Sequence, residues 1–301
     1  MPAKTKIADG IAEVVLDHPP VNAFDSAGWF ELAETFQKLG REPSINVVLL
    51  SAAGRGFCAG VDIKELAKDS SLITAVNKGC YETLAAIHDC AVPVVAAVHG
   101  FCLGGGIGMV GSADIILASD DATFGLPEID RGALGAASHL LRMFPMQKVR
   151  KMLLTGEPIS AAEAYRLGAL ESVVPRDELL PTARKIAESI ASKSPKAVRL
   201  AKESLNGIEL MDVKKSYRYE QGFTLELYTS PDSQEARDAF IEKRGARFSD
   251  DAERDARFSD DAKRGARFSD DAKRDARFSD DAKREAGFAD KSEKDAPKKA
   301  R

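Results

Sequence analysis

Apolar positions along the chain occur in two textures. Short continuous runs at residues 11–16 (IAEVVL), 47–50 (VVLL), 93–98 (PVVAAV) and 113–118 (ADIILA) each stop at a turn signal. Such runs predict buried strands. Between them the spacing becomes helical: Trp29, Phe30, Leu32, Ala33 and Phe36 follow an N-cap at Asp25 or Ser26, and a second helix is predicted over 70–89. Trp29 and the two phenylalanines are read as core. His18-Pro19-Pro20 ends the first strand, because proline donates no ladder hydrogen bond. Strand, turn and helix recur three times before residue 145, which predicts an α/β fold with largely parallel, buried strands.

Helical spacing dominates afterwards. Helices are predicted over 133–143, from 149, over 179–193, 195–209, 213–228 and 233–242, with a capping box at Ser160-Ala-Ala-Glu163 and a close at Gly168. From residue 246 the texture changes again. ARFSDDAERD, ARFSDDAKRG, ARFSDDAKRD, ARFSDDAKRE and AGFADKSEKD repeat every ten residues. At about 100° per residue the repeated Phe drifts by about 80° each time, so no apolar stripe forms. One large hydrophobe among five or six charges buries too little to offset ordering entropy. The expected organisation is an α/β core over 1–195, a helical subdomain over 196–249, and a disordered, charged repeat tail over 250–301.

Composition narrows the function. A chain of 301 residues with 44% hydrophobic content supports a large core. A net charge of −4 points to neither nucleic acid nor an anionic membrane. The opening MPAKTKIADG has no apolar signal core, and no run is long enough to span a bilayer, so a cytoplasmic protein is expected. Cys58, Cys80, Cys90 and Cys102 form no C-x-x-C pair and are read as buried hydrophobes; no metal site is expected.

Candidate chemistry sits where strands end in glycine. PVVAAVHGFCLGGGIG (93–108) runs from a strand through three glycines into a helix. Glycine disfavours a helix by roughly 1 kcal/mol against alanine, so three together imply close approach to bare backbone. The free N–H groups of a helix start attract an anion. A second strand runs into SAAGRGFCAGVDIKE (51–65), a loop placed where open α/β sheets hold ligands. GIGMVG (106–111) also spells a dinucleotide fingerprint, but it lies several residues past its strand and has no acidic partner about 20 residues on.

Five motifs, FCAGVDIKE (57–65), GFCLGGG (100–106), ADIILA (113–118), FGLPE (124–128) and AFIEKR (239–244), resemble the crotonase superfamily of enoyl-CoA hydratases and isomerases, in order across nearly all of residues 1–248. The resemblance implies repeated β-β-α units with a C-terminal helical region, a trimer or dimer of trimers, and an acyl-CoA substrate with no separate cofactor. It implies backbone N–H donors at Val61 and Gly105 for an oxyanion. It places the CoA on Ala59, Val61, Asp62, Ile63, Lys64 and Gly105, and the acid/base on Glu128. A hydratase of this kind has a further glutamate where this chain has Gly108. Concerted handling of water by two carboxylates is therefore not expected. Asp130 and His139 lie off the family's catalytic positions. GGGIG, FGLPEIDRGALGAASHL and SYRYEQGFTLEL resemble the ring-opening hydrolases of bacterial steroid degradation, which cleave a C–C bond of a cyclic diketo acyl-CoA. Isomerisation or hydration of a fatty-acid-type acyl-CoA, or an acyl-CoA-binding scaffold without activity, are the alternatives.

Overall fold

A computed structural model describes residues 2–210 and 213–248. The predicted repeat tail therefore lies outside the described residues. The chain opens with a hairpin, β1 (Ala3–Ala8) and β2 (Ile11–Leu16), and continues through the short strand β3 (Ala23–Phe24) into α1 (Ser26–Arg41). Asp25 caps α1 by accepting from the Gly28 N–H at 2.8 Å. Next come β4 (Val47–Ala52), β5 (Gly60–Val61), α2 (Ile63–Lys68) and α3 (Ile73–His88). β6 (Val94–Val98), β7 (Phe101–Leu103), α4 (Gly105–Ser112), β8 (Ile115–Ser119) and β9 (Thr123–Gly125) follow. A 3₁₀ turn over Pro127–Arg131 leads to α5 (Ala137–Met143), α6 (Met146–Thr155), β10 (Ile159–Ser160), α7 (Ala161–Arg166) and β11 (Ser172–Val174). Four helices finish the described chain: α8 (Arg176–Ala191), α9 (Pro195–Ile208), α10 (Val213–Tyr228) and α11 (Pro231–Glu242).

The main sheet has six strands in the order β1-β2-β4-β6-β8-β11, parallel throughout except for the antiparallel β1–β2 pair. Its strands read as unbroken apolar runs because both faces are covered. Val48, Leu50, Val94, Ala96 and Val98 point into a core shared with α1, α3 and α4. Val47, Leu49, Val95 and Ala97 point to the opposite face, where Leu179, Ala183 and Ala187 of α8 cover them. Successive side chains on a strand alternate faces, so a single run serves two cores.

The edge strand β1 escapes the hydrophobic pattern: five of its six residues are exposed, so its alternation is weak. α5 is shorter than predicted, starting at Ala137 after a loop at 132–136. The capping box at Ser160 is half formed. Ser160 accepts from the Glu163 N–H, while the Glu163 carboxylate turns to Lys148 and Arg166. Those cations hold it well down, to about 2.

Two small sheets position the site. β3 pairs in parallel with β5, and β9 lies between β7, parallel, and β10, antiparallel. They stitch three loops, widely separated in sequence, into one corner.

Candidate active site

The first loop, 53–61, is held by Asn22, which is 3% exposed in a left-handed conformation (φ 51°) that Asn tolerates. Its amide donates to the carbonyls of Ala53, Gly56 and Phe57 at 3.0–3.2 Å, and its side-chain oxygen accepts from the His18 N–H at 2.7 Å. The loop then zips onto β7. The Cys58 N–H donates to Phe101 O, and the Leu103 N–H donates back to Cys58 O at 2.9 Å. Burial pushes the Cys58 thiol up to about 12, against the opposing Gly60 N–H. This makes the thiol a packing group, as the sequence implied.

The second loop is the glycine turn. Gly104 is the N-cap of α4 with φ 56° and ψ −121°, a conformation closed to most side chains, and its N–H donates to Gly125 O at 3.1 Å. Gly105 opens the helix, so no helical carbonyl stands behind its N–H. The two loops touch here. A Cβ on Gly60 would come within 2.9 Å of the Gly105 nitrogen, and a Cβ on Gly105 would meet the Trp29 ring at 2.6 Å. Trp29 is 0% exposed, as its core reading requires, and its indole also forms the wall behind Gly105.

The third loop follows β9. Pairing of Leu103 with Gly125 carries Leu126, Pro127 and Glu128 alongside the glycine turn. The half-buried Glu128 lies against Gly104: a Cβ there would be 2.5 Å from the Glu128 Oε1 atom. Its main chain is fixed as well, since Glu128 O accepts from the Ala133 N–H at 3.0 Å. The three loops thus meet where Gly60 touches Gly105 and Glu128 lies against Gly104, with the partly exposed Ala59 and Val61 flanking Gly60 in the chain.

Five other candidates lie differently. The Asp62 carboxylate caps α2 by accepting from the Lys64 N–H at 2.9 Å. Ile63 and Lys64 stand exposed on the first turn of that helix. Asp130 points at Gly156, whose Cβ would lie 2.7 Å from Asp130 Oδ2, rather than at the glycine turn. His139, on α5, backs onto Gly111 of α4, and burial keeps its pKa below the usual value, with Arg142 adding to the effect. Among the described residues, no group of three His, Cys, Asp or Glu stands where it would hold a metal ion. No described helix is long and apolar enough to cross a membrane.

At Gly108 a Cβ would meet Leu84 Cδ1 at 2.6 Å, Cδ2 at 2.9 Å and Cγ at 3.3 Å. Leu84, on α3, escapes sequence reading because an apolar residue at helical spacing looks like any other core residue. Asn22 carried a weak signal, an asparagine just after two prolines at a strand end.

A family model described as enoyl-CoA hydratase/isomerase matches residues 6–251. The chain belongs to the enoyl-CoA hydratase/isomerase family. Within that family it is 54% identical over 240 residues to the (7aS)-7a-methyl-1,5-dioxo-2,3,5,6,7,7a-hexahydro-1H-indene-carboxyl-CoA hydrolase of Rhodococcus jostii, covering 79% of this chain and 93% of the relative. It is 48% identical over 236 residues to the Mycobacterium tuberculosis protein of the same name, covering 78% and 96%. Human enoyl Coenzyme A hydratase domain-containing protein 3 superimposes with a TM-score of 0.79 at 31% identity, over 82% of this chain and all of the other. The crotonase-type α/β fold expected from the motifs is the fold observed, and the family is one of acyl-CoA enzymes.

Proposed function

We propose that this enzyme opens a ring of a cyclic diketo acyl-CoA by adding water and cleaving a carbon–carbon bond. The observation that carries it is one carboxylate at the glycine turn with an apolar side chain against Gly108. One carboxylate lies on the glycine turn, and Leu84 fills the space beside Gly108 where the hydratase pattern has its second. The 54% identity to a hydrolase of a dioxo-indene-carboxyl-CoA supports the substrate class.

In this reading Glu128 takes a proton from water as the water oxygen bonds to the ring ketone carbon. The tetrahedral adduct collapses and the C–C bond breaks. Its electron pair moves to the carbon conjugated with the thioester, giving an enolate whose oxygen accepts from the Val61 and Gly105 N–H groups. Glu128 returns its proton to carbon, so one water is consumed and a carboxylate is formed. Each such donor contributes about 3–4 kcal/mol in comparable sites. The CoA lies along Ala59 and the segment Val61–Lys64, with the exposed Ile63 and Lys64 facing its adenosine end, and no separate cofactor takes part.

The exposed Leu225, Tyr228, Phe240 and Ile241 on α10 and α11 support a homo-oligomer, a trimer or dimer of trimers. A cytoplasmic location fits the four free thiols. The test is turnover of cyclic diketo, enoyl and 3-enoyl CoA thioesters followed by mass spectrometry. Gain of one water with a new carboxylate on the diketo thioester is expected, with a loss of about 10²–10⁴-fold in Glu128→Ala. An unchanged mass would identify an isomerase, and full turnover by Glu128→Ala would refute the single-base mechanism.

A further inference from the structure

Gly104 and Gly108 stand one helical turn apart, joined by a 3.3 Å hydrogen bond from the Gly108 N–H to Gly104 O. Gly104 is the N-cap and stands outside helical geometry, whereas Gly108 lies within α4. Glu128 lies over Gly104 and Leu84 lies over Gly108. Backbone geometry gives a side chain at 108 a single initial direction, and Leu84 occupies it with three atoms within 3.3 Å. Leu84 is itself 9% exposed and stands on α3, which packs along α4.

We propose that Leu84 is a specificity-determining residue that keeps the site at a single carboxylate. It excludes a second acid/base group, and the water such a group would hold, from the position one turn beyond Glu128. Gly108 and Leu84 are then matched, since a side chain at 108 would enter the volume that Leu84 fills. This inference deepens the ring-opening reading and rests on it for the role of Glu128. Hydration of an enoyl thioester places hydroxyl on C3 and hydrogen on C2, and a carboxylate pair manages both transfers. With Leu84 in place only one carboxylate is available.

The test uses the full chain carrying Leu84→Ala, Gly108→Glu and both. Leu84→Ala removes Cγ, Cδ1 and Cδ2, the atoms that meet a side chain at 108. Crotonyl-CoA hydration is followed by loss of the enoyl thioester absorbance, alongside thermal unfolding and calorimetric CoA binding. The expected result is a Gly108→Glu protein of lowered Tm with little hydration, and a double variant at least about 100-fold faster. Gly108→Glu with wild-type Tm and hydration equal to the double variant would overturn the proposal. So would a folded, CoA-binding double variant that hydrates no faster than the single.

If the glutamate variants do not fold, Gly108→Ala decides. Alanine favours a helix over glycine, so a Tm loss here reports the clash. That loss should shrink in the Leu84→Ala background; an additive loss overturns the proposal. Failure of the wild type to add water to a diketo thioester would refute the ring-opening reading and leave the coupling of 84 to 108 measurable.

Discussion

Gly104→Ala tests whether the contact between the glycine turn and Glu128 is chemically significant. The new Cβ would stand 2.5 Å from Glu128 Oε1, where ordinary contact begins at 3.4 Å, so the carboxylate must move by about 1 Å. A misplacement of that size reduces turnover by about 100-fold, or about 2.7 kcal/mol of transition-state stabilisation. The backbone at φ 56° and ψ −121° adds about 1–3 kcal/mol of strain, lowering Tm by about 2–4 °C for each kcal/mol. Gly168→Ala separates the two effects. Its φ is 84°, but nothing lies within 4 Å of the added atom, so Tm should fall with kcat/KM unchanged. The assay is kcat/KM on the cyclic diketo thioester, with Tm and CoA binding measured beside it. CoA affinity should fall by much less than kcat/KM, because all of the proposed CoA positions except Gly105 lie on the other loop and its helix. A Gly104→Ala protein with lowered Tm and wild-type kcat/KM would refute the placement of Glu128 as the base.

Three further outcomes are expected. Asn22→Ala strands three carbonyls of the first loop and the His18 N–H, and should lose about 3–5 kcal/mol in denaturant unfolding; a change under about 1 kcal/mol would show that the loop holds itself. The hydrogen bond to Asp89, with Glu209 assisting against burial, raises the pKa of His88 above its usual 6.5. Its contribution is therefore full below that value and disappears as pH rises through the higher native pKa. Wild type should accordingly exceed His88→Gln in Tm at low pH and converge with it at high pH; a constant gap would refute the linkage. Cys58 and Cys80 are both pushed up to about 12 by burial, leaving a thiolate fraction of about 10⁻⁴ at pH 8. Iodoacetamide should label the buried Cys58 far faster in urea than in the native protein, with the half-buried Cys80 showing a smaller difference, and rapid native labelling of Cys58 would contradict its burial.

Much of the fold was legible because its signals are local. The runs at 11–16, 47–50, 93–98 and 113–118 are strands of the main sheet, and Asp25 caps α1. The paired short strands β3–β5 and β7–β9 were not legible, since two or three residues carry no period and form only where a partner is already in place. α8 begins at Arg176, three residues before the predicted start at 179, and keeps Pro181 inside it, where proline removes the N–H that would otherwise donate to the Asp177 carbonyl. The candidate site was partly legible. Glycine punctuation marked both loops, and the absence of a carboxylate at 108 was visible, but what occupies its place was not.

By itself the sequence determined the alternation of strand and helix, the glycines that open α4, and the single glutamate after FGLP, because each depends on residues near one another in the chain. Only the tertiary structure decided that β7 and β9 pair, laying Glu128 on Gly104, that Gly60 touches the nitrogen of Gly105, and that Leu84 fills the volume beside Gly108. The physical reason is close packing. Which atom occupies a given space is settled by every element that borders it, and here those elements are up to 68 residues apart, from Gly60 to Glu128.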